Sequence, residues 1–205
     1  MTKIQWLGHA SFRITGGGKT IYIDPWKLKK PEPKADLILI SHSHFDHLSV
    51  PDVVKLQKKE TRILCSADSV GQLKGQVKGL KPGETVQVDG ITVKTTHAYN
   101  PAKEFHPQAN LWLGFLITID GETIYYAGDG DQTPQMETLG KVDIALLPVG
   151  GKYTMTAAEA AQAAGVIKPG KCIPYHYGDI VGTDADAAAF AKACPCPTQK
   201  LPLTD

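Results

Sequence analysis

The chain has 205 residues, 42% of them hydrophobic, which is enough to bury one substantial core. Its 22 basic and 21 acidic side chains leave a formal net charge of +1, so no general electrostatic field attracts nucleic acid or an anionic membrane. We therefore expect a single domain over residues 1–205, with no nucleic-acid partner and, because no apolar run is long enough, no membrane span.

The first predicted elements are strands that lead to a histidine-rich segment. Residues 4–14 alternate apolar positions and are predicted to pair with residues 20–24 across Gly16-Gly17-Gly18. An apolar strand, residues 37–40, then runs into the segment at residues 42–47, and Ser49 is predicted to cap a helix directly behind it. The segment therefore follows the carboxyl end of a strand, where loops commonly hold ligands.

Two predicted hairpins come next, and each leads to a potential ligand. The first, residues 85–97, turns at Asp89-Gly90 and places His97 where its second strand ends. The second, residues 111–127, leads to Asp129. Between them, residues 98–110 form a loop long enough to act as a flap over a site, and His106 within it is expected to be exposed.

The last third of the chain predicts alternating strands and helices. Residues 143–149 form a predicted buried strand, and Thr156 with Glu159 forms a capping box for an alanine-rich helix. A strand at residues 172–175 leads to His176, and residues 184–193 form a final helix. Sheets followed by alternating strands and helices predict a layered α/β domain.

The strand ends together supply imidazole and carboxylate groups. These are the ligands of zinc and similar first-row metals, whereas calcium and magnesium sites are built from oxygen. More than four such ligands suggest two ions; the alternative is that the histidines only cap a helix and form hydrogen bonds. The predicted metal ligands are His42, His44, Asp46, His47, His97, Asp129 and His176, with His9 and Asp24 as further candidates near the site.

The run His42-Ser43-His44-Phe45-Asp46-His47 matches the motif HxHxDH in full and resembles the metallo-β-lactamase superfamily. Gly8-His9-Ala10-Ser11-Phe12 and Ile23-Asp24-Pro25 further resemble a subset related to L-ascorbate-6-phosphate lactonase and, more distantly, N-acyl-phosphatidylethanolamine phospholipase D. The resemblance implies a four-layer αββα sandwich. It also implies one ion on His42, His44 and His97, a second ion on Asp46, His47 and His176, and Asp129 as the bridge between them.

Metal-dependent hydrolysis is the chemistry that this ligand set predicts. Two divalent ions, zinc first and manganese or iron as alternatives, would hold a bridging hydroxide and polarise the bond of a small ester, lactone or phosphodiester-type substrate. Asp46 or Asp129 would orient the nucleophile. Two alternatives remain open: a metal-binding sensor or partner-binding module without turnover, and a mononuclear iron oxygenase on the same fold. No feature of the sequence sets an oligomeric state.

The amino-terminal residues and the cysteines bear on the compartment. The chain moves directly into a strand-like pattern at Lys3, with no apolar signal region. A disulfide framework is not expected in a chain of this size, so we predict free thiols and a cytoplasmic protein. The cysteines are Cys65, Cys172, Cys194 and Cys196.

Overall fold

The computed structural model describes residues 2–204, in which twelve strands form two six-stranded sheets. The first sheet follows chain order, with antiparallel pairing among its first three strands and parallel pairing from the third strand onward. Its strands are β1 (Lys3–Gly8), β2 (Ser11–Gly16), β3 (Lys19–Ile23), β4 (Leu37–Ile40), β5 (Arg62–Ser66) and β6 (Gln76–Leu80).

The second sheet also follows chain order, from one edge to the other. Its first four strands are antiparallel, and its last three are parallel to one another. Its strands are β7 (Thr85–Val88), β8 (Ile91–His97), β9 (Leu113–Ile119), β10 (Glu122–Tyr126), β11 (Ile144–Pro148) and β12 (Lys171–Tyr175).

Alternation along the strands divides the apolar side chains between two cores. In β4, Leu37 and Leu39 join the large core shared by both sheets, whereas Ile38 and Ile40 pack in a smaller core with α1 (Val50–Leu56). On the other side, α2 (Ala157–Ile167) packs on β11 and α3 (Asp184–Ala193) packs on β12. The layers are helix, sheet, sheet, helix, which confirms the predicted αββα sandwich.

The helix starts follow the predicted capping chemistry. The Ser49 side chain accepts a hydrogen bond from the Asp52 amide at the start of α1, and Thr156 and Glu159 form the predicted capping box of α2. The longest of the described helices, α2, has only 11 residues, and none of them could cross a membrane.

The opening of the chain differs from the prediction. Residues 4–14 were expected to form one interrupted strand, but they form two antiparallel strands, β1 and β2, joined by a turn at His9 and Ala10. Gly8, which ends β1, and His9 have positive φ, 109° and 47°. Because glycine adopts such a conformation without a steric penalty, Gly8 permits the reversal. The turn places His9 at the end of the sandwich rather than within a strand.

Candidate metal centre

The candidate residues lie in loops that follow the carboxyl ends of strands from both sheets. Asp24 follows β3, the histidine-rich segment follows β4, Asp129 follows β10 and His176 follows β12. Two backbone hydrogen bonds join the sheets here: the Leu113 amide donates to the Ser41 carbonyl at 3.0 Å, and the His176 amide donates to the His9 carbonyl at 3.0 Å. Side chains from both sheets therefore converge at one edge of the sandwich.

The backbone is strained at several of these residues. His9, Asp24 and His176 have φ values of 47°, 42° and 62°, which are unfavourable for residues with a Cβ atom. Ahead of Asp129, a Cβ atom on Gly128 would lie 2.7 Å from the Leu113 carbonyl oxygen, so only glycine fits. Strain of this kind persists where surrounding contacts hold functional side chains in place.

Three histidines form the first group. The Nε2 atom of His42 lies 3.1 Å from the Nδ1 atom of His44, and one ligand atom from each of His42, His44 and His106 lies within 4.8 Å of the others. The His42 ring is buried, whereas His44 is partly exposed toward the pocket. Three nitrogen atoms at this spacing can face a single ion.

His106 stands in the place that the resemblance implied for His97. His97 is the last residue of β8, its ring lies edge-on to Tyr99, and it belongs to none of the ligand groups found among the described residues. His106 was expected to be exposed, but it is only 2% exposed. Its Nδ1 atom lies 2.7 Å from Asn100 Oδ1 and 3.1 Å from the Tyr153 carbonyl oxygen. These acceptors select the Nδ1-protonated ring and leave Nε2 available to a ligand.

Asp46, His47 and His176 form the second group, together with His9. The Nε2 atom of His9 lies 3.0 Å from Asp46 Oδ2, which in turn lies 3.8 Å from the Nε2 atom of His47. His9 thus holds the Asp46 carboxylate in position beside the group. The sequence had placed His9 near the site without a partner, and the partner is Asp46.

Asp129 lies between the two groups. Its Oδ2 atom is 3.1 Å from the Nε2 atoms of both His47 and His176, 3.5 Å from that of His106 and 4.0 Å from that of His42. The carboxylate is buried, with 4% of the residue exposed. One oxygen atom therefore faces nitrogen atoms of both groups.

The unpaired atoms of the cluster show that its residues fit metal ions. His47 Nε2, His106 Nε2, His176 Nε2 and Asp129 Oδ1 are buried and have no hydrogen-bond partner. Buried polar atoms are almost always satisfied, so several unsatisfied atoms in one cluster require an explanation. Divalent cations at the centre would supply it, and the imidazole and carboxylate donors are those that zinc and related metals use. Simple capping and hydrogen bonding of the histidines does not account for these atoms.

Asp24 fixes the histidine-rich segment through contacts with Ser41 and His47. Its carboxylate accepts hydrogen bonds from the Ser41 amide at 2.7 Å, the Ser41 hydroxyl at 2.6 Å and the Tyr126 hydroxyl at 2.7 Å. It also lies 2.8 Å from the Nδ1 atom of His47, which directs Nε2 of that ring toward Asp129. A buried carboxylate behind a ligating histidine sets its tautomer and orientation.

Replacing Asp24 with asparagine is expected to weaken metal binding roughly 10- to 100-fold, because the His47 ring loses the carboxylate that orients it. Metal titration of the metal-free variant measures the change. Asp143→Asn is the matched control. Asp143 also accepts a backbone hydrogen bond, from Thr123, but it lies before the amino end of β11, whereas the candidate ligands follow the carboxyl ends of strands. Equal affinities of the Asp24→Asn protein and the wild type would contradict this role.

The charges of the cluster are strongly coupled. Burial would raise the pKa of Asp129, but His176 and His47 hold it well below its usual range. Burial would lower the pKa of His47, but Asp129 and Asp24 hold it well above its usual value. Burial keeps the pKa of His42 well below its usual value and lowers the pKa of His106 to about 4. Without metal, His47 therefore carries a proton at neutral pH, while His42 and His106 are neutral.

Metal binding is expected to release protons near pH 7, one of them from His47, because His47 must be neutral to bind a metal ion. The affinity should rise with pH through the neutral range and level off above the raised pKa of His47. Calorimetry in two buffers of different ionisation enthalpy measures the proton count. A binding enthalpy that does not depend on the buffer would show that His47 is already neutral in the metal-free protein.

Comparisons with known proteins agree with this geometry. Residues 3–176 match the family model of the beta-lactamase superfamily domain. A UPF0173 metal-dependent hydrolase of Thermococcus onnurineus is 36% identical over 209 residues, covering 94% of this chain and 92% of that protein. One from Pelotomaculum thermopropionicum is 35% identical and covers 96% of this chain and 93% of its own.

Solved structures show the same likeness. The crystal structure of a Parabacteroides distasonis protein, assigned as a metal-dependent hydrolase, superimposes with a TM-score of 0.89 at 33% identity, covering 99% of this chain and 94% of that one. Igni18, a metallo hydrolase of Ignicoccus hospitalis, superimposes with a TM-score of 0.80 at 23% identity, covering 100% and 97% of the two chains. At that identity the second likeness concerns the fold alone.

Proposed function

Because the chain belongs to the metallo-β-lactamase superfamily and is a metal-dependent hydrolase, we propose that it uses two divalent metal ions to hydrolyse a small ester, lactone or phosphodiester-type substrate. One observation carries the proposal of two ions. The Asp129 Oδ2 atom faces nitrogen atoms of both ligand groups, within 3.1 to 4.0 Å, and several atoms around it are buried without partners.

The proposed ligands follow the two groups, with one change from the sequence prediction. His106 takes the place of His97, because the structure brings the first of these histidines to the cluster and not the second. Asp129 is the proposed bridge. The first ion would be held by His42, His44 and His106, and the second by Asp46, His47 and His176.

When bound, divalent ions at this centre supply Lewis acidity and make hydroxide available near neutral pH. The chain's own residues position the reaction. Asp129 and Asp46, the two proposed catalytic residues, accept hydrogen bonds from the attacking water and so orient it. His9 keeps Asp46 in place through the 3.0 Å contact to Oδ2, and Asp24 keeps His47 in place. No serine or cysteine nucleophile is needed.

We propose zinc as the native metal, with manganese and iron as alternatives that the same imidazole and carboxylate donors would accept. We also propose a cytoplasmic location, which the free cysteines support because cytosolic thiols are kept reduced. All four cysteines are unpaired, and Cys65 and Cys172 are buried, as predicted.

The loop at residues 98–110 bears on the alternative of a binding module without turnover. That alternative would gain if the loop plugged the site. Instead, Phe105 and His106 of the loop line an open cavity of about 290 Å³ that reaches the proposed ligands. The cavity leaves room for a small substrate, which favours an enzyme.

Two measurements test the proposal. The first is metal analysis of protein purified without added metal. The second is a set of turnover assays with zinc, manganese or iron on ester, lactone and phosphodiester substrates. We expect turnover that a chelator abolishes and added metal restores. Metal-loaded protein without turnover on any substrate would support the binding module. One iron per chain with oxygen consumption would support the oxygenase.

A further inference from the structure

We propose that the cavity over the centre selects uncharged substrates with a bulky apolar group, namely carboxylic esters or lactones with an aryl or branched alkyl substituent, over phosphodiesters. This inference rests on the proposed hydrolase function and narrows its substrate class. The walls of the cavity, rather than its metal ligands, carry the argument.

The cavity has a polar floor and apolar walls. Proposed metal ligands form the floor, and Phe45, Phe105, Tyr153 and Ile180 form the walls. The volume of about 290 Å³ lies near the lower limit for small-molecule sites, so the substrate is small. If the scissile bond of the substrate lies at the floor, the group attached to it lies against these four side chains.

Three of the wall residues are large apolar side chains that remain exposed to solvent, although packing of the core does not require them there. Phe45 is 69% exposed, Phe105 is 43% exposed and Ile180 is 37% exposed. They come from three separate loops, after β4, β8 and β12, yet they surround one cavity. Large apolar side chains that converge on a cavity in this way mark a surface for an apolar ligand.

Ring contacts hold the two phenylalanines in place. Phe105 lies edge-on to Tyr153, with 4.7 Å between ring centroids and an interplanar angle of 89°. Phe45 lies edge-on to Trp26 at 6.0 Å. Aromatic side chains held in this way offer contact area with little loss of conformational freedom when a ligand binds. These contacts favour the orientation that both rings have in the cavity.

Apart from the metal ions proposed at its floor, the cavity presents no cationic side chain of the described residues to an anionic substrate. None of the described residues that line it is lysine or arginine. Among cations of neighbouring loops, Lys103 binds Asp131 at 2.6 Å and the Thr154 carbonyl at 2.7 Å, and Lys27 binds Asp179 at 2.9 Å. The nearest to the walls is Lys152, whose Nζ atom lies over the Tyr153 ring, 5.0 Å from its centroid, and does not line the cavity. Sites that select phosphate groups usually present arginine or lysine to the oxygen atoms that do not react. Those oxygen atoms of a phosphodiester would here meet apolar walls.

The reaction that fits this cavity is hydrolysis of an acyl–oxygen bond. The oxygen of water forms a bond to the acyl carbon, and the bond from that carbon to the alkoxy oxygen breaks. One proton of the water goes to the leaving alcohol, and the other passes to solvent as the acid product ionises. The apolar substituent lies against the walls throughout.

Matched 4-nitrophenyl substrates and metal-loaded protein test the inference. We expect kcat/KM for the 3-phenylpropanoate ester to exceed that for the anionic succinate ester and for bis(4-nitrophenyl) phosphate by about tenfold or more. Phe105→Ala and Ile180→Ala should each reduce this preference several-fold, mainly through KM. Val54→Ala is the control, because Val54 is 60% exposed on α1 and lies outside the cavity.

A second experiment separates the proposed apolar site from the proposed hydrolase function. It uses ligand-observed NMR to measure binding of the uncharged 3-phenylpropanamide to metal-free protein. Binding that weakens in Phe105→Ala and Ile180→Ala, without hydrolysis of any ester by loaded protein, would keep the apolar site and overturn the hydrolase. Hydrolysis with equal or greater preference for the succinate ester or the phosphodiester would keep the hydrolase and overturn the apolar site. A preference unchanged in both wall variants would also overturn it.

Discussion

Replacing His106 with alanine is expected to remove one of two bound metal ions and to lower hydrolytic turnover by about 100-fold or more, since loss of a ligand exceeds the effect of losing a partner behind it. The Nε2 atom of His106 is buried, has no hydrogen-bond partner and lies 3.5 Å from Asp129 Oδ2. The effect should appear in metal content measured after removal of loose metal, and in turnover measured on the same sample.

His97→Ala is the matched control for this experiment. His97 is the last residue of β8, directly before the loop that carries His106, but its ring lies edge-on to Tyr99 and outside the ligand groups. We expect the His97 variant to keep both ions and its turnover. Loss of metal in His97→Ala, with a normal metal content in His106→Ala, would restore His97 as the third histidine ligand of the first ion.

Replacing Asp129 with asparagine is expected to lower turnover roughly 10²- to 10⁴-fold, the range for loss of a group that positions a reacting proton. An amide oxygen carries no net negative charge, so it holds two cations much more weakly than a carboxylate oxygen does. The same change removes the anion that raises the pKa of His47, so the proton released on metal binding at pH 7 should decrease.

Asp131→Asn provides the comparison for Asp129. Asp131 is two residues further along the same loop, and its carboxylate binds Lys103 rather than the histidines. Its replacement should leave metal content unchanged. An Asp129→Asn protein with two ions and wild-type turnover would rule out Asp129 as the bridge.

Much of the fold and site could be predicted from local patterns. Alternating apolar residues and the Asp89-Gly90 and Asp120-Gly121 turns predict the strands of the second sheet, and the segment after β4 brings several of the proposed ligands together by its own spacing. Asp129 and His176 follow strands at the same edge, so their placement with this segment also follows from strand order. These features depend on short stretches of the chain.

His106 could not be predicted in the same way, because its place depends both on the folding of its own loop and on a contact far from it in sequence. The Asn100 amide donates to the His106 carbonyl at 2.8 Å, and the Tyr153 carbonyl fixes the ring from the loop after β11. Nothing in residues 98–110 distinguishes a histidine held by those contacts from an exposed one. The reversal after Gly8 was predicted only as an interruption of one strand, because a break in the apolar alternation does not by itself distinguish an interrupted strand from a turn between two strands.

An anomalous difference map from zinc-loaded crystals, recorded above the zinc absorption edge, tests the central claim most directly. We predict two peaks roughly 3.5–4 Å apart on either side of Asp129 Oδ2. One peak should lie among His42, His44 and His106, and the other among Asp46, His47 and His176. A single peak, or none in a folded and zinc-loaded protein, would contradict the account.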